Sequence, residues 1–227
     1  MHPKITNTKD VHMCKIKVLV HGPSGSGKTR LCGTTGGKAI ILSAESGLLS
    51  LAGMDLDVWE IKNIDDLKEA YTFLKSDVTY DWVCIDSISE IAEVVLNAEK
   101  KLTKDPRKAY MEMGDQMTAL VRAFRDLPKN VYMAAKQDKT KDEMTGGFIY
   151  GPSAPGQKLA ASLPYFFDFV LVLQNWKDAE GKMQSALQTQ RDAQYDAKDR
   201  SGLLDMVEPP SLQHIYNKIT NQPKKDA

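Results

Sequence analysis

An α/β fold built on a mostly parallel sheet is predicted by three observations. Short apolar runs, each able to fill a buried strand, alternate with stretches of helical periodicity. The first run leads directly into Gly22-Pro-Ser-Gly-Ser-Gly-Lys-Thr29, a G-x-x-x-x-G-K-[ST] phosphate-binding loop placed to open a helix. Near the C-terminus, an apolar strand at 168–173 and a returning stretch at 181–190 read as an antiparallel hairpin.

The elements follow in order. A strand is predicted over 15–21, a second over 38–42 and a short third over 58–61. Residues 65–75 carry Leu67, Ala70, Tyr71 and Leu74 at helical spacing. Residues 82–85 form an apolar strand closed by Asp86, and 87–102 a helix with Ile88, Ile91, Ala92, Val95 and Leu96 on one face. The stretch 97–108 is basic and broken at Pro106. A helix over 110–127 is stopped by Pro128, and a strand occupies 130–135. Residues 145–156, rich in Gly and Pro, read as a loop or short hairpin, and a helix runs on to Tyr165. A terminal helix spans 209–219. One domain is expected over 15–220, with a flexible segment at 1–14 and a disordered tail at 221–227.

With 227 residues the chain can build one substantial core. Thirty basic and thirty acidic side chains cancel, so net charge neither predicts nor excludes a nucleic-acid partner; any such surface is a local patch. Cys14, Cys32 and Cys84 lack metal-ligand spacing and suit a reducing cytoplasm. Residues 1–10 contain no apolar core of a signal peptide, and no run approaches membrane-spanning length. A cytoplasmic protein without a membrane partner is expected.

The phosphate loop predicts a bound nucleoside triphosphate. Gly22, Gly25 and Gly27 are expected to take φ > 0 and turn backbone N–H groups into one concave nest. Lys28 reaches the β- and γ-phosphates, and Thr29 is a Mg²⁺ ligand. The candidate nucleotide-binding set is Gly22, Pro23, Ser24, Gly25, Ser26, Gly27, Lys28, Thr29 and Arg30. Asp86 ends a strand, where its carboxylate is either a second Mg²⁺ ligand or the cap of the next helix. Glu45, just past the second strand, either orients the water that attacks the γ-phosphate or is a solvated loop carboxylate. Gln137, after the strand 130–135, is placed to sense the γ-phosphate. Around it Lys136, Lys139, Lys141, Phe148 and Tyr150 suit single-stranded nucleic acid, or form an ordinary charged loop with packing aromatics. Lys198 and Arg200 share one face of an extended segment and either reach a γ-phosphate, in their own subunit or a neighbour's, or form a solvated turn. Arg191 is a weaker candidate of the same kind.

Taken together these segments resemble a small RecA-like P-loop ATPase, of the kind that phages encode as RecA-like single-strand annealing or recombination proteins and that is often labelled a phage nucleotide-binding protein. Gly22–Thr29 resembles the first Walker motif. Residues 42–45 resemble the strand-two segment with its catalytic glutamate, 82–88 the second Walker motif, and 134–137 the segment with a sensor glutamine. Residues 151–158 resemble the stretch after the second DNA-binding loop, and 197–202 the Lys-x-Arg element inserted into a neighbouring active site. The resemblance implies a RecA-like core, ATP and Mg²⁺ as cofactors, and Lys28, Glu45, Gln137, Lys198 and Arg200 as catalytic residues. It implies DNA-stimulated ATP hydrolysis, single-stranded DNA as partner, a ring or filament of identical subunits, and an accompanying single-strand binding protein. The sequence departs from the pattern in its short stretch after Gln137 and in lacking a large added DNA-binding domain. A nucleotide or nucleoside kinase is the alternative, but Arg107, Arg122 and Arg125 form no lid-like cluster with glycine. A nucleotide-dependent scaffold is a third reading.

Overall fold

Period-two alternation along the strands decides which helices cover which face. The computed structural model describes residues 15–45, 47–141 and 146–221. Cys14, the segment 1–14 and the tail 222–227 lie outside the described residues, as do 142–145 in the lysine-aromatic stretch.

Strands β1 (Lys17–His21), β2 (Ala39–Ser43), β3 (Asp57–Glu60), β4 (Trp82–Asp86), β5 (Asn130–Lys141) and β7 (Phe169–Lys177) form a parallel run in the order β7-β1-β5-β4-β2-β3. Antiparallel strands extend it. β6 (Phe148–Ser153) pairs with β5, β8 (Met183–Gln188) and β9 (Lys198–Asp199) pair with β7, and β10 (Val207–Glu208) pairs with β8. The expected fold class is the one observed: a mostly parallel sheet between helices, with antiparallel strands toward the C-terminus.

Leu19, Ile40, Leu42, Val83, Ile85, Val131 and Met133 face one layer of helices. That layer is α2 (Ile64–Ser76), α3 (Ile88–Leu102), α4 (Pro106–Arg125) and α5 (Gln157–Phe166). Val18, Val20, Ile41, Cys84 and Tyr132 face α1 (Lys28–Leu31) and α6 (Leu212–Thr220) on the other side. Both faces are covered, so the central strands read as nearly continuous apolar runs.

Several boundaries differ from the sequence expectation; β7, for one, runs four residues past 173 to Lys177. α4 begins at Pro106 instead of being broken there. Proline at the first helical position loses an N–H that would have no partner anyway, and Asp105 caps the end by accepting from Arg107 N at 2.9 Å. β5 runs six residues past Ala135 because β6 supplies an antiparallel ladder from Lys136↔Ser153 to Lys141↔Phe148. Gln137, Lys139 and Lys141 therefore lie on a strand and not in a loop. α6 begins at Leu212, where Ser211 caps it. No helix among the described residues is long and apolar enough to cross a membrane.

Candidate active site

The phosphate loop leaves the C-terminal end of β1 and turns into α1. Gly25 and Gly27 have φ of 74° and 101°, conformations that favour glycine. Gly22 does not, and here the expectation of φ > 0 is corrected. It must be glycine because a Cβ would meet the Leu173 carbonyl oxygen at 2.8 Å and Ser26 Oγ at 2.9 Å. Two side chains from the sheet hold the loop down. Asn175 Nδ2 donates to the Ser26 carbonyl at 3.1 Å, and the buried Tyr132 hydroxyl donates to the Lys28 carbonyl at 2.8 Å.

Lys28 Nζ donates to the loop carbonyls of Gly22 and Pro23 at 2.8 and 2.9 Å. Burial lowers its pKa, and the carboxylates of Asp86 and Glu45 partly offset that. Thr29 Oγ1 donates to Asp86 Oδ2 at 2.5 Å, joining the loop to the end of β4. Asp86 is 3% exposed. Burial pushes its carboxyl pKa up and the Glu45 charge adds to this, while the Thr29 hydrogen bond and Lys28 pull it down. Asp86 does not cap α3; Ser87 does, accepting from Glu90 N at 3.3 Å.

The same Ser87 hydroxyl donates to Glu45 Oε1 at 2.8 Å. Ser43 Oγ donates to the Glu45 carbonyl at 2.7 Å, so both backbone and carboxylate of Glu45 are held. Gln137 lies beyond the end of β1 on the neighbouring strand, and its Nε2 contacts His21 Nδ1 at 3.1 Å. Gly22, Ser24, Gly25, Gly27, Lys28 and Thr29 line one wall of a cavity of about 490 Å³ whose other wall includes Glu45, Asp86, Ser87, Lys136 and Gln137. That volume suits a small-molecule ligand.

Other expected members fall outside this cavity. Pro23 lines a neighbouring space with Trp176 and Tyr195, Ser26 is buried beneath the loop, and Arg30 is exposed. Lys136, expected among the hairpin lysines, lines the phosphate cavity and pairs with Glu90 at 2.7 Å. Lys198 and Arg200 do not meet the loop of their own chain. β9 pairs with Phe169 and Val170 at the start of β7, whereas the loop leaves β1 after His21, level with Val172. Lys198 Nζ donates to the Pro164 carbonyl, and Arg200 pairs with Asp168 at 2.9 Å. Arg191 is exposed and likewise absent from the cavity wall. Among the described residues no arginine lines the phosphate cavity. Arg107 and Arg122 line a separate groove between α4 and α5, and Arg125 pairs with Asp126, so the arginine clamp of a kinase lid is missing here.

The sequence assigns no role of their own to two residues of the site. Ser87 lies inside the 82–88 stretch that resembles the second Walker motif, but nothing local places its hydroxyl against Glu45. His21 carried no local signal, because its partners lie far along the chain.

The residues fit a magnesium triphosphate. Thr29 and Asp86 present hard oxygen donors side by side, and the loop offers N–H groups and one ammonium to phosphate oxygens. Among the described residues no cluster of three or more His, Cys, Asp or Glu could hold a metal, so a cation here would draw its remaining ligands from phosphate and water. Chemically, this set can bind a triphosphate, neutralise its charge and present a carboxylate to a water molecule.

Among curated proteins none matches the chain. The sequence does match the AAA domain family, over residues 14–201, a span that runs from the start of β1 through β9 and includes every cavity residue named above. With its phosphate loop, its Thr29–Asp86 pair and most of its length inside that match, the chain belongs to the AAA domain family and is a P-loop ATPase.

Proposed function

We propose that this protein is a RecA-like ATPase that binds single-stranded DNA under the control of its nucleotide and promotes annealing or strand pairing in recombination. The observation that carries this reading is the continuity of β5. One end of its extension, Lys136 and Gln137, lines the phosphate cavity. Two residues on, Lys139 stands opposite Tyr150, with Nζ 5.1 Å from the centre of the exposed Phe148 ring. A change at the γ-phosphate therefore has a hydrogen-bonded path into a surface of lysines and aromatic rings.

A second surface adjoins it. After β6 the chain passes through 154–156 into α5, where a groove of about 720 Å³ opens between α4 and α5. Arg107, Arg122 and Lys158 line it with one carboxylate, Asp115, so cations outnumber anions there, and Tyr110, Tyr165 and Phe166 supply its rings. Tyr165 is 80% exposed. Cations beside exposed aromatics suit the backbone and bases of a single strand.

In the hydrolytic step Lys28 and the loop N–H groups hold the phosphates, and Thr29 with Asp86 would hold Mg²⁺, which would supply neutralisation of the phosphate charge. Glu45, oriented by Ser87, accepts hydrogen from the attacking water. Lys198 and Arg200 lie at the far end of β7 from their own loop, so the role assigned to them is at the γ-phosphate of a neighbouring copy in a ring or filament. A single-strand binding protein would supply the substrate.

A gel-shift titration with single-stranded DNA, with and without ATP and at two salt concentrations, tests the reading. Binding should require nucleotide, weaken steeply with salt and fall about tenfold or more in a Lys139→Ala/Phe148→Ala double variant. DNA affinity absent under every nucleotide condition would sink the proposal and leave a kinase or scaffold.

A further inference from the structure

His21 closes β1 one residue before the phosphate loop and is fully buried. Its ring makes two hydrogen bonds to parts of the chain more than a hundred residues away. Nε2 lies 2.8 Å from the Asp196 carbonyl oxygen, and Nδ1 lies 3.1 Å from Gln137 Nε2. A carbonyl can only accept, so Nε2 carries the hydrogen. In the neutral ring Nδ1 is then an acceptor, which matches the amide nitrogen that Gln137 turns toward it. Burial holds the ring pKa down to about 4, so it is neutral near pH 7.

The Asp196 end of this chain is fastened to the hairpin. Asp196 N–H donates to the Tyr150 carbonyl at 2.8 Å, and Tyr150 N–H donates to the Gln194 carbonyl at 2.6 Å. The Tyr150 and Tyr195 rings pack with centroids 5.6 Å apart. Tyr150 itself stands opposite Lys139 in the β5–β6 ladder. His21 thus touches the phosphate loop through its backbone, Gln137 through one ring nitrogen and the hairpin-bound strip 194–196 through the other.

We propose that His21 is a positioning residue: it turns the Gln137 carboxamide so that the amide nitrogen faces the ring and the carbonyl oxygen is offered to the phosphate cavity, and it ties that orientation to the β5–β6 hairpin through Asp196. A carboxamide has one acceptor and one donor branch. A water attacking phosphorus is oriented by an acceptor, so the branch that faces the cavity matters to the reaction. The inference rests on the reading of Gln137 as the group at the γ-phosphate. A histidine that only filled the core would need neither partner, and an aromatic hydrocarbon of similar size would replace it.

The test compares His21→Phe, which keeps an aromatic ring without either polar partner, with His21→Gln, which keeps one donor and one acceptor. Amide hydrogen exchange over 136–141 and 148–153 is followed on adding a non-hydrolysable ATP analogue, alongside analogue affinity and steady-state turnover. Wild-type protein should show slowed hairpin exchange with the analogue. His21→Phe should bind the analogue within about threefold, lose the hairpin response and lose about tenfold or more in kcat, and His21→Gln should restore both. Adding His21→Phe to Gln137→Ala should cost nothing further. Histidine ¹⁵N shifts give a check that does not depend on any variant at His21: the wild-type ring should be the Nε2–H tautomer, with an Nδ1 resonance that moves in Gln137→Ala. Full turnover by Gln137→Ala would remove the γ-phosphate reading and this inference with it. An impaired Gln137→Ala beside a His21→Phe with wild-type turnover and hairpin response, or an Nδ1–H tautomer, would overturn the inference alone.

Discussion

Ser87 Oγ donates to Glu45 Oε1 at 2.8 Å while the same oxygen caps α3. One hydroxyl at the end of β4 therefore starts a helix and aims a carboxylate that arrives from β2. Glu45→Gln should retain nucleotide binding and lose about a hundredfold or more in turnover, the usual scale for a general base. Ser87→Ala should cost about tenfold in turnover, and roughly 1 kcal/mol of stability through the lost cap. Phosphate release under saturating ATP and a urea titration measure the two effects, and wild-type turnover by Glu45→Gln would reject Glu45 as the base.

In the proposed mechanism Lys28 and Thr29 act on the nucleotide and not on the fold. The Lys28 ammonium is partly buried against carbonyls of its own loop, and its pKa is already lowered by burial. Lys28→Ala should lose about two orders of magnitude or more in hydrolysis while melting within about 1 kcal/mol of wild type. Thr29→Val removes the hydroxyl beside Asp86 and should raise the Mg²⁺ concentration needed for half-maximal turnover. Unchanged ATP turnover by Lys28→Ala would contradict the assignment.

His21 predicts an acid limb in the stability profile. Its folded pKa is about 4, held down chiefly by burial, with the Lys28 charge adding to this and the Asp196 carbonyl opposing it. The unfolded ring titrates near 6.5. Between those values the unfolded chain binds a proton that the folded chain does not, so stability falls as pH drops from about 6.5 to 4 and this contribution levels off below. The full shift corresponds to about 3 kcal/mol. His21→Phe should flatten that limb in urea midpoints measured across the window; an unaltered limb would place the titration elsewhere.

Lys129 is a stability residue at the opposite end of β5 from Gln137. Its buried Nζ donates to Asp77 Oδ2, the Asp77 carbonyl and the Tyr80 carbonyl at 2.9, 2.9 and 2.7 Å. Lys129→Met leaves the buried Asp77 carboxylate without its counter-charge, holding only the Thr79 and Tyr80 N–H groups, and should cost about 3–5 kcal/mol. Turnover at a temperature where the variant remains folded should be unaffected, which steady-state assay beside thermal melting would check.

Much of the site was legible because its signals are local. The phosphate loop is eight consecutive residues, and Asp86 and Glu45 each follow a recognisable apolar strand. The start of α4 is not legible locally, because Pro106 reads as a breaker until the Asp105 cap places it in the first turn. Residues 145–156 read as either a loop or a short hairpin, and Lys139 and Lys141 as loop, because pairing of Lys139 with Tyr150 depends on a second strand, which polar sequence alone does not announce.

The sequence by itself determined that a strand, a phosphate loop and a helix follow one another, and that further buried strands alternate with amphipathic helices. Backbone sterics at Gly25 and Gly27 and the periodicity of apolar side chains suffice for that. Only the tertiary structure decided that β5 lies between β1 and β4. That insertion pairs His21 with Ala135 and so brings Gln137 within reach of the imidazole. It also decided that Lys198 and Arg200 dock at the start of β7, away from their own loop. Strand order and register depend on covering both faces of the sheet at once, a condition set by residues more than a hundred positions apart.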